Sequence, residues 1–241
     1  MATEKLTGKH LYSEMKSDAV LRRIQKMMDL RDQVDVENEH VRISYDNRKT
    51  TALVPSVSLI PVADCHNCAK CSNGCYDVRH CCLWGTVQKG RAINSAIAHE
   101  DMERYFHEIA ERVKFMRFFR FHIGGDILSF WYFEHMVDIA RRTQTCDFLV
   151  FTKMFGIVNH WIDKNGELPQ NLHVIFSDWR GMKMDNPHGL PVSSPKWSDG
   201  TTGPNVTDRQ FMCPGDCSQC ATVGEGCWAA KKGDTILFEA H

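Results

Sequence analysis

The sequence predicts an α/β fold of mostly parallel strands, and three observations carry that prediction. Short apolar runs alternate with stretches whose apolar residues recur every three or four positions, the pattern of strands joined by helical crossovers. With 241 residues, 43% of them hydrophobic, the chain can bury one full core with elaborations. Cys65, Gly124, Thr152 and Ser177 fall at the carboxyl ends of predicted strands, where parallel sheets collect their ligands.

Residues 1–50 read as an appendage of helix and hairpin. Val20, Leu21, Ile24, Met27 and Met28 recur at helical spacing, and Val41 to Tyr45 alternates as an exposed strand before an Asp46-Asn47 turn. Residues 51–184 form the predicted α/β core. Its first strand is the apolar stretch Leu53 to Val62, which ends at a cysteine loop. Met102, Tyr105, Phe106, Ile109, Ala110 and Val113 then mark one face of a helix, and Phe115 to Ile123 reads as a strand entering Gly124-Gly125-Asp126. A helix carries Phe130, Phe133, Val137 and Ala140, followed by a short buried strand at Phe148 to Phe151. Phe155, Ile157, Val158, Trp161 and Ile162 supply the next helix, stopped at Asn165-Gly166, and Leu172 to Phe176 is the next strand. Residues 185–241 are predicted as a long loop and a cysteine-rich C-terminal lobe. Asp185 to Gln210, rich in Pro, Gly, Ser and Asp, shows neither periodicity, and Thr235 to Glu239 reads as a final strand.

Composition excludes several classes. Lys plus Arg number 29 against 30 for Asp plus Glu, so a net charge of −1 gives no electrostatic footprint for nucleic acid. The basic pairs Arg141-Arg142 and Lys231-Lys232 read as solvated helix faces, and no repeat is present. Met1 to His10 has no apolar core suited to a secretion signal, and the longest nearly apolar run, Ile127 to Phe133, is too short to span a bilayer. The expectation is a cytoplasmic protein with no membrane partner, in a compartment that keeps thiols reduced.

The strongest chemical signal is sulfur. Eight of the 11 cysteines fall into two groups, Cys65-x2-Cys68-x2-Cys71-x3-Cys75 and Cys213-x3-Cys217-x2-Cys220-x6-Cys227. The first reproduces the ligand spacing of bacterial ferredoxins, so its expected cargo is iron and sulfide; the second is less diagnostic by itself, and the expectation for the pair is two 4Fe-4S clusters. Zinc competes, because four thiolates suit a tetrahedral ion and two-residue knuckles are common in zinc ribbons. Zinc sites usually join knuckles from separated strands, however, whereas Cys65 to Cys75 packs four sulfurs into 11 residues with no hairpin between them. Disulfides are the third option. Cys81, Cys82 and Cys146 are spare and read as small buried hydrophobes.

A strand followed by a cysteine loop, with Gly124-Gly125-Asp126 after the next strand, resembles the radical S-adenosylmethionine (SAM) enzymes. More narrowly, Cys71-Ser-Asn-Gly-Cys75-Tyr76, Phe119 to Asp126 and Phe148 to Lys153 are similar to the phage gene product 88 family. So are Cys213-Pro214, Cys217, Cys220 and Cys227-Trp228, and the similarity runs over roughly residues 56 to 228. The resemblance implies a partial (β/α) barrel and a 4Fe-4S cluster whose open iron chelates SAM. It also implies an electron donor such as a flavodoxin or ferredoxin, and a phage-encoded protein acting in a bacterial host. Gly124 and Gly125 would let backbone approach a ligand, and Asp126 would accept from an ammonium, where radical SAM enzymes usually have Glu. Lys153 would offer a cation to a carboxylate, and Ser177, Asp178 and Arg180 polar contacts to a ribose.

Each of these residues also has a plainer reading. Asp126 would cap the next helix, Lys153 would be a surface lysine, Asp178 and Arg180 would form a local ion pair, and His122 would be a satisfied core histidine. Two departures separate the possible functions. Four thiolates on the first cluster would close it to SAM, and Tyr76 replaces the Pro that follows the fourth ferredoxin cysteine. Three functions compete: a radical-SAM-like enzyme acting on an unknown substrate, a SAM-independent iron–sulfur redox or electron-transfer protein, and a structural zinc-binding phage protein. The sequence names no catalytic residue.

Overall fold

A computed structural model of the protein describes residues 18–45, 53–66, 71 and 75–239. The predicted Asp46-Asn47 turn and Cys68 lie outside the described residues.

Helix α1 (Asp18–Arg31) turns Val20, Ile24 and Met27 inward at the spacing expected of one helical face. They pack on Ile60, Val62, Val78 and Cys82, with Cys65, Cys71 and Cys75 against the same cluster, so α1 lies over the first cysteine loop. The predicted strand at Val41 to Tyr45 is reduced to one antiparallel bridge, Ser44 to Ser56. Its register is set by Asn94, which accepts from Arg42 N at 2.7 Å and donates to Arg42 O at 2.9 Å. These side-chain bonds occupy the backbone groups a ladder would have used.

Strand β1 is only Ser56–Val57, far shorter than the apolar run Leu53 to Val62. Leu59, Ile60 and Val62 are fully buried, but beyond Val57 the chain leaves the ladder. Leu59 N donates to Gly124 O (2.9 Å), and Ile123 N donates to Ser58 Oγ (3.1 Å). Apolarity there reports burial, not pairing.

A π-helical turn (Asp77–Cys81) and helices α2 (Gly85–Glu100) and α3 (Met102–Val113) lead to β2 (Phe118–Phe121). Asp101 caps α3 by accepting from Arg104 N. Helix α4 (Phe130–Arg142), capped by Ser129, precedes β3 (Asp147–Thr152), and α5 (Phe155–Asn165) precedes β4 (Leu172–Ser177). Gly166, at φ 86°, ends α5 in a conformation that only glycine adopts cheaply.

The stretch expected to be one long loop contains β5 (Val192–Lys196). Pro195 hides it from sequence reasoning, since proline removes a ladder donor. The strand tolerates it because β4 pairs only with Val192 and Ser193, leaving β7 as the sole partner strand at Pro195. Strand β6 (Gln210–Met212), helix α6 (Cys217–Val223), a 3-10 turn (Gly226–Trp228) and β7 (Thr235–Glu239) complete the described chain.

Among the described residues the strands form one seven-stranded sheet in the order β1-β2-β3-β4-β5-β7-β6, and every neighbouring pair is parallel. Alternation along each strand divides its side chains between two faces. Phe119, Phe121, Phe148, Val150, Val174 and Phe176 join the cluster built with α2 to α5. Phe118, Leu149, Ile175 and Ile236 join a second cluster with Ala221 and Trp228, from the segment that carries the second cysteine group. Among the described residues, no helix is long and apolar enough to cross a membrane.

Candidate functional site

Because the strands run parallel, their carboxyl ends share one edge of the sheet, and a cavity of about 290 Å³ opens there. Both cysteine groups reach it. Cys65, Cys71 and Cys75 line one side, and Cys213, Cys217 and Cys227 another. Cys220 lies off the lining, beneath Gly226, where an added Cβ would stand 3.0 Å from its sulfur. The ten described cysteines all carry thiols rather than disulfides. Among the described residues, no three Cys, His, Asp or Glu side chains stand close enough together to hold a single metal ion.

Burial pushes the Cys75 thiol up to about 12, and burial likewise raises Cys227, with the neighbouring sulfurs adding to it. In the second group Gly215 N donates to Cys213 Sγ at 3.4 Å, the kind of backbone bond that stabilises a ligating thiolate. Asp216 caps α6 through Ser218 N and Gln219 N, and Gly224 ends it in the left-handed conformation, so Cys217 and Cys220 are presented from one short, closed helix.

The other expected site residues are largely brought together. Gly124, Gly125, Asp126, Lys153, Ser177 and Asp178 all line the cavity. Arg180 does not. It binds both carboxylate oxygens of Asp199 (2.6 and 2.7 Å) and rests 4.0 Å from the ring centre of Trp197, so the local Asp178–Arg180 pair is not formed. Asp178 instead holds the following loop, accepting from Trp179 N, Asn205 N and Asn205 Nδ2 at 2.7 to 3.0 Å.

The glycines also answer to the protein's own packing. A Cβ at Gly124 would overlap the Asp77 carboxylate and Arg91 guanidinium, and one at Gly125, where φ is 81°, would meet Leu59 Cβ at 2.6 Å. Asp126 does not cap α4, which is Ser129's task. Its carboxylate ties the end of β2 to the end of β3, accepting from Ile127 N (2.8 Å), Thr152 Oγ1 (2.6 Å) and Lys153 N (2.8 Å). Burial raises its pKa and these donors counter that.

His122 is buried at φ 57°, a left-handed conformation uncommon for a non-glycine residue. Its Nε2 meets Tyr132 Oη at 2.8 Å, while Nδ1 has no partner. Burial lowers its pKa to about 3, so the imidazole is neutral at physiological pH.

A family comparison now has a structure to refer to. The family model described as Gene product 88 matches residues 31–192, well over half of the chain. The chain belongs to the gene product 88 family. No curated protein and no solved structure shows a significant match. The gene product 88 match spans the first cysteine group and every strand from β1 to the first residue of β5, and stops short of the second cysteine group. The resemblance read from the sequence as far as residue 228 is therefore shown only for its larger, N-terminal part.

Several cavity residues within the matched span were not singled out from the sequence: Asp77, Arg120, Phe151 and Trp179. Asp77 and Arg91 form a buried two-point ion pair, Arg91 Nη2 standing 2.6 Å from Asp77 Oδ1, and burial lowers Arg91 to about 10. Arg120 left a usable signal. A charge inside Phe118-Phe-Arg-Phe121, a strand buried on both faces, has to serve something.

Proposed function

We propose that the protein is an iron–sulfur protein of radical-SAM-like type. Cys65, Cys68, Cys71 and Cys75 would supply the ligands of one 4Fe-4S cluster and Cys213, Cys217, Cys220 and Cys227 those of a second, with one of the eight cysteines standing off its cluster so that an iron is left for SAM. The observation that carries this reading is that sulfurs from both groups line one cavity at the carboxyl edge of a parallel sheet. Two thiol sets serving only to staple loops would have no reason to face the same empty space.

The donor set fits the group. Thiolates are the usual ligands of such clusters, the Gly215 amide bonds to Cys213 Sγ, and Arg120 places a cation beside Cys217. When bound, a low-potential cluster supplies single electrons, and in the radical SAM class these cleave SAM reductively. The chain's own part is to hold and enclose. Asp126 and Lys153 would meet an amino-acid moiety and Ser177 and Asp178 a ribose, a reading supported by their all lining the cavity, which Trp179 and Trp197 also wall. On this reading the sheet is the counterpart of a partial (β/α) barrel and the C-terminal segment is its cluster-binding lobe. A flavodoxin or ferredoxin would donate electrons, and the protein would work in the cytoplasm of a phage-infected bacterium.

A second reading, a SAM-independent redox protein, is favoured by Asp126. Both of its oxygens already accept bonds from the chain, and Arg180, the other polar group expected at the cofactor, is engaged elsewhere. The test begins with anaerobic isolation, which should yield a brown protein with about eight irons and matching sulfide per chain. Two zincs and no sulfide would eliminate both readings in favour of a structural metal protein. Reduced protein is then incubated with SAM. Formation of 5′-deoxyadenosine and a changed electron paramagnetic resonance spectrum support the first reading, and neither change leaves the second.

A further inference from the structure

The charges around the cavity are unevenly matched. Its three buried carboxylates are satisfied by the protein itself: Asp77 by Arg91, Asp126 by Thr152 and two backbone amides, and Asp178 by Asn205 and Trp179. Arg120 is the opposite case. It is 9% exposed, lines the cavity, and makes one long bond from Nη1 to Cys217 Sγ at 3.7 Å. Its guanidinium lies 4.9 Å from the ring centre of Phe151, and Nε is buried with no acceptor among the described residues. No protein carboxylate pairs with it among the described residues, whereas Arg91 has a two-point partner. Burial opposes its charge while Tyr76, Cys217 and Cys227 favour it, but the one bond to Cys217 uses only Nη1, and a buried guanidinium edge left without an acceptor is costly unless something supplies one.

We propose that Arg120 is the anchor of a binding site for a small carboxylate-bearing molecule, distinct from SAM, that occupies the cavity between the two cysteine groups. The proposal rests on the iron–sulfur reading for its meaning, because such a ligand would be the substrate, but its geometry stands without metal. Arg120 shares a sheet face with Phe118, Leu149 and Phe151, so alternation along β2 aims it away from the helices and toward the second cysteine group. The Phe151 ring leaves an edge of the planar fork for an incoming group, and a carboxylate matches that fork with two parallel bonds. A single buried cation balances a monoanion. Trp179, Trp197 and Phe151 in the lining suit an apolar or flat body on the ligand.

The as-isolated protein is titrated with benzoate and, separately, with its neutral counterpart benzyl alcohol, followed by ligand-observed nuclear magnetic resonance. Iron and sulfide are assayed on the same samples. Benzoate is expected to bind at least about tenfold more tightly, the loss typical when one charge-assisted contact is missing. Arg120→Met should abolish that preference while keeping the full iron content, and Arg120→Lys should retain part of it. Arg142→Met, exposed in the last turn of α4 and absent from the cavity lining, should change nothing. Equal binding of the two probes, or no binding of either, overturns the site, and this comparison needs no variant to fold. Loss of iron in Arg120→Met would reassign the residue to the second cluster, and displacement of benzoate by an equal concentration of inorganic phosphate would overturn the carboxylate class. Iron content and SAM cleavage of the unsubstituted protein judge the iron–sulfur reading independently of the probe binding and of the variants.

Discussion

The two faces of the sheet are closed by different means. On one, Phe119, Phe121, Phe148 and Phe176 meet Tyr105, Phe133 and Trp161 in a continuous apolar layer under four helices. On the other, Phe118, Leu149 and Ile175 share a smaller cluster with Val54, Ile236, Ala221 and Trp228, against which Phe151, Phe211 and Phe238 pack together with partly buried Cys213, Cys220 and Cys227, and the layer gives way to the cavity and Arg120. The first face is held chiefly by apolar burial, with the Tyr105, Tyr132 and Trp161 polar groups hydrogen-bonded within it. The second has the smaller buried cluster, and under the iron–sulfur proposal a crosslinking cluster would complete it.

The largest effect should come from setting a lesion on each face side by side. Cys227→Ala should reduce iron from about eight to about four per chain and expose Trp228, read by metal assay and near-ultraviolet circular dichroism. Phe133→Ala, in the helix layer, should cost about 3–5 kcal/mol in denaturant titration and leave iron per folded chain unchanged. If Phe133→Ala shed iron, or Cys227→Ala kept it all, the division between the faces would fail.

Arg91→Met tests the junction of cavity and core. It strands the Asp77 carboxylate in the interior and should cost about 3–5 kcal/mol in chemical denaturation, most of it recovered on adding Asp77→Leu. A cost below about 1 kcal/mol would mean that water reaches Asp77.

A smaller, pH-dependent effect is expected at His122, which faces Asp64, Arg120 and Tyr132. Its pKa is about 3 when folded against an ordinary 6.5, so below pH 6.5 the unfolded chain takes up a proton that the folded one refuses. Stability should therefore be unaffected by this group above that pH and fall as pH drops toward 3, by at most about 1.4 kcal/mol per pH unit. His122→Gln should flatten the slope of melting temperature against pH in that window, and an unchanged slope would place the acid sensitivity elsewhere.

The smallest effect belongs to Cys146→Ala. Cys146 is buried beside β3 and absent from the cavity, so about 1 kcal/mol should be lost with no change in iron. A drop in metal content there would redraw the partition of the cysteines.

Most of the alternation of strands and helices was legible because each element writes its period into the chain. Phe130, Phe133 and Val137 turn inward as a helix should, and Phe148 to Phe151 reads as a strand buried on both faces. Helix α2 was not legible. Gln88, Arg91, Asn94 and Ser95 are buried together with Ile93 and Ile97, so a helix enclosed on nearly all sides shows no apolar stripe. Strand β5 escaped because Ser193, Ser194 and Pro195 look like loop, and only the meeting of β4 and β7 on either side makes them a strand. In the site, cysteine spacing marked the thiols, but the partners of Asp126 and Asp178 lie 26 to 27 residues away across the fold, beyond any local pattern.

Sequence alone determined the chemistry available: two clusters of closely spaced thiols, a Gly-Gly-Asp turn, and an alternating scaffold on which to hang them. Those are local properties, set by neighbours within one turn or one loop. Only the tertiary structure decided that both thiol groups face one space, and that Arg120 faces it without a carboxylate. That arrangement depends on parallel pairing, which sends every strand's carboxyl end to the same edge, and on β7 returning beside β5 to bring Cys213 to Trp228 back over the open face.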